Sequence, residues 1–436
     1  MAADQSIAQL STEILRQVLD GAPADRTIKR VFRRERQLDD QQRKTIASSV
    51  YRVALHRARL AYPISEVLDT YPQQRAELLL ATLLISDDEV AAPKALAQCG
   101  MASDEPASTE LLEALRSPPA LPDSPIERLA LTRSVPVFIA EMLLETYSFE
   151  EADLLMAHLN QPGPITLRAR SHPFTRDQVA AQLLADGIET RVTAHSPWGL
   201  HVIPPAQGKA NLWGSEAYRQ GLFEVQDEGS QLIALACGAR KDECVVDYCA
   251  GRGGKTLALA ASMENVGRLV ATDVDSDALR DLQTRLQRAG VTCVESRHMV
   301  DAPDQSLPAA LVDLEFQADL VLVDAPCSSL GAWRRGPHQR WALKADEMAD
   351  WPVLQKSVLA RASRLVRPGG RLLYATCTLL PAENQEVRAA FLQSHPDFHP
   401  QPLPIEPAQG SSELLLAPHL HGCDGFYLAH FGRVGA

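Results

Sequence analysis

Residues 243–262 read ECVVDYCAGRGGKTLALAAS: an apolar run that closes on an acid, a turn carrying three glycines, then a stretch rich in alanine and leucine. That is the layout of a strand, a glycine turn and a helix start, and the chain beyond it keeps the rhythm. GRLVATDVD (267–275) reads as a second strand, SDALRDLQTRLQRAG (276–290) as a helix ending at Gly290, and VTCVES (291–296) and DLVLVDAP (319–326) as further strands. A helix within 344–366, the strand RLLYATC (371–377) and a helix in AENQEVRAAFLQS (382–394) complete the series. Such alternation implies parallel strands with helices on both faces. Right-handed crossovers then place every strand's carboxyl end along one edge, where ligands bind in open α/β sheets. Asp247, Asp273, Asp324, Cys327 and Cys377 fall at or just past such ends, so they are expected to converge in space.

Upstream the pattern differs. Ile7, Leu10, Ile14 and Val18 recur at helical spacing, ELLLATLLI (77–85) reads as a buried helix, and glycine is sparse, so the front is expected to be all-α. The proline-rich SPPALPDSP (117–125) is the clearest linker. Beyond it FIAEMLLETY and DLLMAHLN are helical; after QPGP come ITLRAR, DQVAAQLLADG, IETRVTAH and GLHVIPP, which point to a small α+β unit. The expected organisation is multidomain: a helical domain over 1–125, a small α+β linking domain over 126–222 and an α/β Rossmann-like domain over 223–436.

A chain of 436 residues, 45% of them hydrophobic, can bury several cores. No apolar run approaches the length of a membrane span and the start lacks the basic-then-apolar layout of a signal peptide, so a cytoplasmic protein without membrane association is expected. Its eight cysteines are then expected to be free thiols. No CxxC pair offers zinc a site, and no metal is expected. The net charge of −12 hides a local opposite: between Arg26 and Arg59 stand eleven Lys or Arg against Glu35, Asp39 and Asp40. That asymmetry marks phosphate-binding faces, although a solvated helix surface produces the same run.

The turn DYCAGRGGKT (247–256) lets backbone approach a ligand closely. It is not a Walker loop, which would need glycine at Cys249, and its spacing differs from GxGxxG. Asp273 follows at the end of the second strand, placed to hydrogen-bond a ribose by its two hydroxyls. Turn and acid together specify an adenosyl ligand, shared by nicotinamide and S-adenosylmethionine enzymes.

DAPCS (324–328) followed by ATCTLLPAEN (375–384), with DYCAGRGGKT upstream, resembles the RNA (cytosine-5) methyltransferases of the Sun/Fmu family, of the RsmB type with an N-terminal NusB-like domain. ITLRAR, VQDEGSQL (225–232) and DGFYLAHF (424–431) extend the resemblance over nearly the whole chain. It implies a class I methyltransferase fold, S-adenosylmethionine as cofactor, RNA as partner with 16S small-subunit ribosomal RNA foremost, and no obligate protein partner. Carbon 5 of cytosine is too poor a nucleophile to take a methyl unaided, and a thiolate added at carbon 6 makes it enamine-like. By resemblance Cys377 is that nucleophile. Asp324 holds the base at its ring nitrogen and exocyclic amine and donates a proton as negative charge develops, and Cys327 serves release after methyl transfer. In DNA cytosine-5 methyltransferases the attacking cysteine follows a proline, so Pro326-Cys327 invites the reverse assignment. The TCT context of Cys377, with Pro381 and Asn384 behind it, favours Cys377.

The same resemblance assigns the cofactor to Cys249, Ala250, Gly251, Arg252, Gly253, Gly254 and Lys255, with Asp273 on the ribose and Asp324 nearby. Two positions depart from the family: Arg252 stands where proline is common, and no acid follows the third strand in VESRHMVDAP, leaving His298 and Asp301 as candidates for the adenine side. For RNA, Arg30, Arg33, Arg34 and Arg36 are the front-domain candidates. WRRGPHQRW (333–341) mixes cations with aromatics, which suits unpaired bases, and the family reads it as lining the substrate cleft through Arg334, Arg335 and Trp341. Transfer RNA is the alternative substrate. A non-catalytic RNA-binding assembly factor is the alternative of another class, and a nicotinamide dehydrogenase is disfavoured by the glycine spacing.

Overall fold

A computed structural model of the chain describes residues 2–88, 90–206, 209–300 and 306–435, with side chains from residue 7 onward. The chain folds as two compact units, Met1–Gln161 with Trp333–Ala345, and Pro162–Ala332 with Asp346–Ala436.

The first unit is helical throughout its described residues. Helix Asp40–Leu55 opens on a capping box, in which Asp39 Oδ1 accepts from Gln42 N at 2.8 Å and Gln42 Oε1 from Asp39 N at 3.0 Å. Helix Arg75–Ser86, a buried run by its pattern, contributes Leu78, Leu79 and Leu80 to a core shared with Ile14, Leu15, Ile46 and Val50. The two compact units divide after Gln161, beyond the boundary expected near residue 125. Pro125 occupies the first turn of helix Pro125–Arg133, where its missing N–H costs nothing, and Ser124 caps that helix by accepting from Glu127 N. Ser134 follows with a left-handed backbone and its Oγ accepts from Ala58 N at 2.9 Å. Helices Val137–Thr146 and Phe149–Leu159 therefore belong with the front of the chain.

The second unit holds two sheets. Strands β1 (Thr166–Ala169), β2 (Thr190–Val192), β3 (Gly199–Val202) and β4 (Phe223–Val225) form an antiparallel sheet in the order β2-β3-β1-β4. Helix Arg176–Ala185 packs on it through Val179 and Leu183. Hydrogen bonds tie this sheet to the helix Glu228–Ala236. Gln231 Oε1 accepts from Ser196 Oγ at 2.7 Å, and the buried carboxylate of Glu228 accepts from the backbone N–H groups of His195 and Ser196 at 2.6 and 2.7 Å. The VQDEGSQL segment, just beyond the boundary expected near 222, is thus the seam that fixes the small sheet to the larger one.

The larger sheet contains β5 (Cys244–Asp247), β6 (Arg268–Asp273), β7 (Val294–His298), β8 (Ala318–Asp324), β9 (Val366–Thr376), β10 (Phe398–Pro400), β11 (Glu413–Leu416) and β12 (Phe426–Arg433). Its order is β10-β12-β9-β8-β5-β6-β7, with β11 on β12. β9, β8, β5, β6 and β7 are parallel, as the alternation predicts. DGFYLAHF instead returns antiparallel to β9, and β10 and β11 pair antiparallel with it. An apolar run buried on both faces carries no direction in its pattern, so this reversal is invisible to periodicity. The strand order changes direction between β5 and β8, the switch point at which open α/β sheets bind ligands.

Candidate active site

Four of the five residues singled out at strand ends sit at the carboxyl ends of β5, β6 and β8 or in the turn after β9, and Cys327 follows β8. The glycine turn after β5 is bent by Gly253, whose φ of +78° caps helix Gly254–Ser262; a Cβ there would lie 2.1 Å from Leu282 Cδ1. Gly251 N donates to Asp273 Oδ2 at 2.7 Å and Asp275 N to Oδ1 at 2.8 Å. Two lone pairs of that carboxylate remain for ribose hydroxyls. Beside it lies a cavity of about 380 Å³ lined by Tyr248, Cys249, Asp273, Asp324, Pro326 and Arg361 together with the apolar Val274, Met299, Val300, Leu354 and Val358. Behind the turn, Asp247 is fully buried, accepts from Thr256 Oγ1 at 2.7 Å, and has its second oxygen unpartnered; burial pushes its carboxyl up to about 7. A glycine turn with an acid beside a largely apolar cavity fits an adenosyl ligand.

The residues carried over by resemblance divide. Ala250 is fixed by its N–H to Thr272 O at 2.9 Å, and Gly254 begins the helix. Cys249 borders the cavity, its thiol pushed well up by burial. Arg252 is exposed and pairs with Asp281 at 3.1 Å, so the departure from proline leaves a surface ion pair. His298 directs Nε2 to Val274 O at 3.1 Å. Asp301 lies outside the described residues. Met299 and Val300, after the third strand, line the cavity, and nothing in the local pattern points to them.

Cys327 and Cys377 come from turns fifty residues apart in sequence, and their sulfurs lie 3.4 Å apart. The turns are stitched by backbone: Gly331 N donates to Cys377 O and Gly425 N to Gly331 O, each at 2.9 Å. A Cβ on Gly331 would lie 2.3 Å from Gly425 O, which is why both SSLG and DGFY end or turn on glycine. Cys377 Sγ is also 3.5 Å from Ser329 Oγ. The hydrogen bond from Cys327 lowers the Cys377 thiol below its ordinary range, against burial and the charge of Asp324 and with help from Lys255. Cys327 is correspondingly raised, first by its bond to Cys377, then by burial, then by the charges of Cys377 and Glu383. The two shifts run in opposite directions, so where one proton is shared by the two sulfurs they favour its place on Cys327.

Asp324 Oδ2 accepts from Lys255 Nζ at 2.6 Å. Burial pulls the lysine down, but the charge and hydrogen bond of Asp324 outweigh it and keep the ammonium protonated. Lys255 also sits 5.7 Å from the centre of the Phe426 ring. Sequence reasoning assigned Lys255 a cofactor role only; its place in this ion pair comes from its partner at the end of β8. Also missed were Glu383 and Gln355, which bond to the two cysteine turns from behind.

In the helical unit, helix Ala24–Arg34 buries Ala24, Thr27, Ile28 and Val31 and turns its cations outward. Arg34 is already held by Glu13, at 2.7 and 2.8 Å, and by Glu35 at 2.7 Å; Arg30 donates to Gln17. Arg33 and Arg36 are exposed, with no ion-pair partner among the described residues. Trp341 does not present a free ring for stacking: its indole N–H donates to Ala54 O at 2.7 Å and Arg57 lies 5.4 Å over the ring. Its neighbour Arg340 is fully buried and donates to Asn160 Oδ1 at 2.7 Å. Amphipathic composition in WRRGPHQRW therefore encodes packing at its C-terminal end, while Arg334 is half-buried and Arg335 exposed.

Residues 234–432 match the family of 16S rRNA methyltransferases RsmB/F, and residues 135–207 match the ferredoxin-like domain of RsmF/B-like methyltransferases. The chain is 32% identical over 321 residues to the probable ribosomal RNA small subunit methyltransferase B of Bacillus subtilis, covering 72% of this chain and 69% of that protein. It is 32% identical over 307 residues to the protein of the same description from Synechocystis, covering 69% and 67%. Among solved structures, that of PH0851 is similar with a TM-score of 0.79 and 25% identity, covering 98% of this chain and 99% of that one.

Proposed function

Since the chain belongs to the RsmB/F family of 16S rRNA methyltransferases, we propose that it methylates carbon 5 of a cytosine in small-subunit ribosomal RNA through a covalent adduct with Cys377. The observation that carries this reading is the contact of two thiols, one of them lowered, beside a Lys–Asp pair that borders the cofactor cavity.

S-adenosylmethionine, the methyl donor of the family, supplies an electrophilic methyl group when bound. Asp273 would hold its ribose, Met299 and Val300 its adenine, and the 249–255 turn the remainder. Cys377, as thiolate, adds to carbon 6 of cytosine and moves the 5,6 electron pair toward carbon 5. Asp324 orients the base at the ring nitrogen and exocyclic amine, and the proton within the Lys255–Asp324 pair is available to the ring nitrogen as negative charge develops. Once Cys377 is a thioether, its charge and hydrogen bond no longer hold the proton on Cys327. Once carbon 5 also carries the methyl group, Cys327 can release its proton to solvent and take the one on carbon 5; the pair left at carbon 5 re-forms the double bond and expels Cys377 as thiolate, and the proton on the ring nitrogen returns to the Lys255–Asp324 pair.

The NusB-like role of the helical unit is RNA binding by its outward cations. Changing Arg33 and Arg36 together to Ala is expected to weaken RNA binding and reduce the log–log salt slope by about 1–2, the contribution of two phosphate contacts. Arg34→Ala should change it less, because that guanidinium is committed to Glu13 and Glu35. An unaltered slope in the double variant would return this helix to an ordinary solvated face.

Bisulfite sequencing of cellular RNA with and without this gene tests the function as a whole. A cytosine in 16S ribosomal RNA is expected to resist conversion only when the gene is present. Resistance confined to transfer RNA would move the substrate, and no gene-dependent cytosine at all would favour the assembly-factor reading.

A further inference from the structure

Glu383 belongs to the PAEN turn after β9 and is fully buried, yet among the described residues no Lys or Arg is a hydrogen-bond partner of its carboxylate. Instead four neutral donors surround it. Oε1 accepts from Ser328 Oγ at 2.6 Å and from Thr378 Oγ1 at 3.0 Å; Oε2 accepts from Ser328 N and from Gln355 Nε2, both at 2.9 Å. Ser328 follows Cys327 directly and Thr378 follows Cys377 directly. One carboxylate therefore grips the residue after each thiol. Gln355, from helix Asp350–Ser363, closes the cage by donating also to Pro326 O at 3.0 Å, the residue before Cys327. Tyr374 Oη fixes the Glu383 carbonyl at 2.7 Å, and the neighbouring Asn384 donates to Thr378 O at 3.0 Å. A buried carboxylate is costly to desolvate and is retained where its hydrogen bonds or its charge are needed.

We propose that Glu383 is a positioning residue, which clamps the Cys327 and Cys377 turns into sulfur contact and, by its charge, disfavours a thiolate at Cys327. This rests on the proposed two-thiol chemistry. The clamp explains the geometry, since each thiol is one residue from a carboxylate oxygen's donor. The bond to Cys377 and burial set most of the asymmetry, and the charge of Glu383 adds to it. Glu383 faces the Cys327 side and disfavours a second negative charge there, as the raised thiol of Cys327 reflects. Cys377 is faced by Lys255 from the helix after the glycine turn and by Asp324 from β8; Cys327 is faced by Cys377, by Glu383 and, from within β9, by Tyr374. Helix Asp350–Ser363 adds the neutral Gln355 at this point. Of these groups only Glu383 touches both turns.

The test is alkylation of the full-length protein, without RNA, by short pulses of iodoacetamide across pH 6–9, with Cys327 and Cys377 quantified on their separate tryptic peptides. Wild type is expected to react first at Cys377. Glu383→Gln can keep the cage, because the Ser328 and Thr378 hydroxyls can turn to accept from the amide while its oxygen still takes the Ser328 and Gln355 N–H groups. It removes the charge, and the preference for Cys377 over Cys327 is expected to fall about tenfold, as about one pKa unit between them would give. Ser328→Ala, which removes one donor and leaves the charge, is expected to keep most of the preference. In methyl transfer Glu383→Gln should lose kcat with KM for RNA unchanged. An undiminished preference in Glu383→Gln, or an equal loss in Ser328→Ala, would overturn the proposal. The alkylation result does not require methylation, so a protein that shows the expected preferences but methylates no RNA would sink the functional reading alone.

Discussion

Cys377→Ala is expected to bind RNA and S-adenosylmethionine, to form no covalent adduct, and to lose methyl transfer by about 10⁴-fold or more, as enzymes deprived of a nucleophile do. Cys327→Ala is expected to fail differently. Its remaining thiol still attacks and carbon 5 still receives the methyl, but no base takes the carbon 5 proton, so the protein–RNA complex accumulates and survives denaturation. Loss of Cys327 also removes the hydrogen bond that lowers Cys377, so the variant's attack should shift toward higher pH. A denaturing gel with substrate RNA and S-adenosylmethionine separates an inert variant from a trapped one. An adduct with Cys377→Ala and none with Cys327→Ala would reverse the roles and restore the proline-cysteine reading.

Asp324→Asn is expected to lower kcat about 10²–10⁴-fold at saturating S-adenosylmethionine, the range in which a positioned proton donor or acceptor contributes. The amide can still contact the base, but it can neither anchor the Lys255 ammonium as strongly nor share its proton. Lys255, largely buried, is then left without its counter-charge, so the burial that opposes its ionisation prevails and its proton affinity falls. The variant should therefore also melt earlier at neutral pH, by roughly 3 kcal/mol of stability for a broken, largely buried pair. Single-turnover methyl transfer and a melting curve read the two effects separately. Wild-type turnover in this variant would remove Asp324 from the chemistry.

Patterning along the chain makes the centre of the molecule legible and its seams illegible, for physical reasons. A strand that stops on an acid or thiol reports its own end, and parallel topology does the rest, so Asp273, Asp324, Cys327 and Cys377 could be brought together from spacing alone. Glu383 could not. An acid in PAEN has the composition of an exposed turn, and only the tertiary fold shows four donors converging on it, three of them from two distant segments. Proline-rich SPPALPDSP read as a boundary because breakers mark loops, whereas Pro125 is the one proline of that run used to start a helix. Trp341 read as a stacking surface because its neighbours are cations; another cation, Arg57, covers it from a distant helix. Local pattern reports local periodicity, and it is silent on which partner satisfies a side chain.

The most direct measurement uses a 16S ribosomal RNA transcript made with 5-fluorocytidine, wild-type protein and S-adenosylmethionine. Fluorine on carbon 5 cannot leave as a proton, so the adduct cannot resolve, and proteolysis with mass spectrometry identifies both the residue and the nucleotide that are joined. The account predicts a methylated 5-fluorocytidine on the peptide that carries Cys377. The same nucleotide on Cys327, or no adduct from a protein that methylates ordinary transcript, would contradict it.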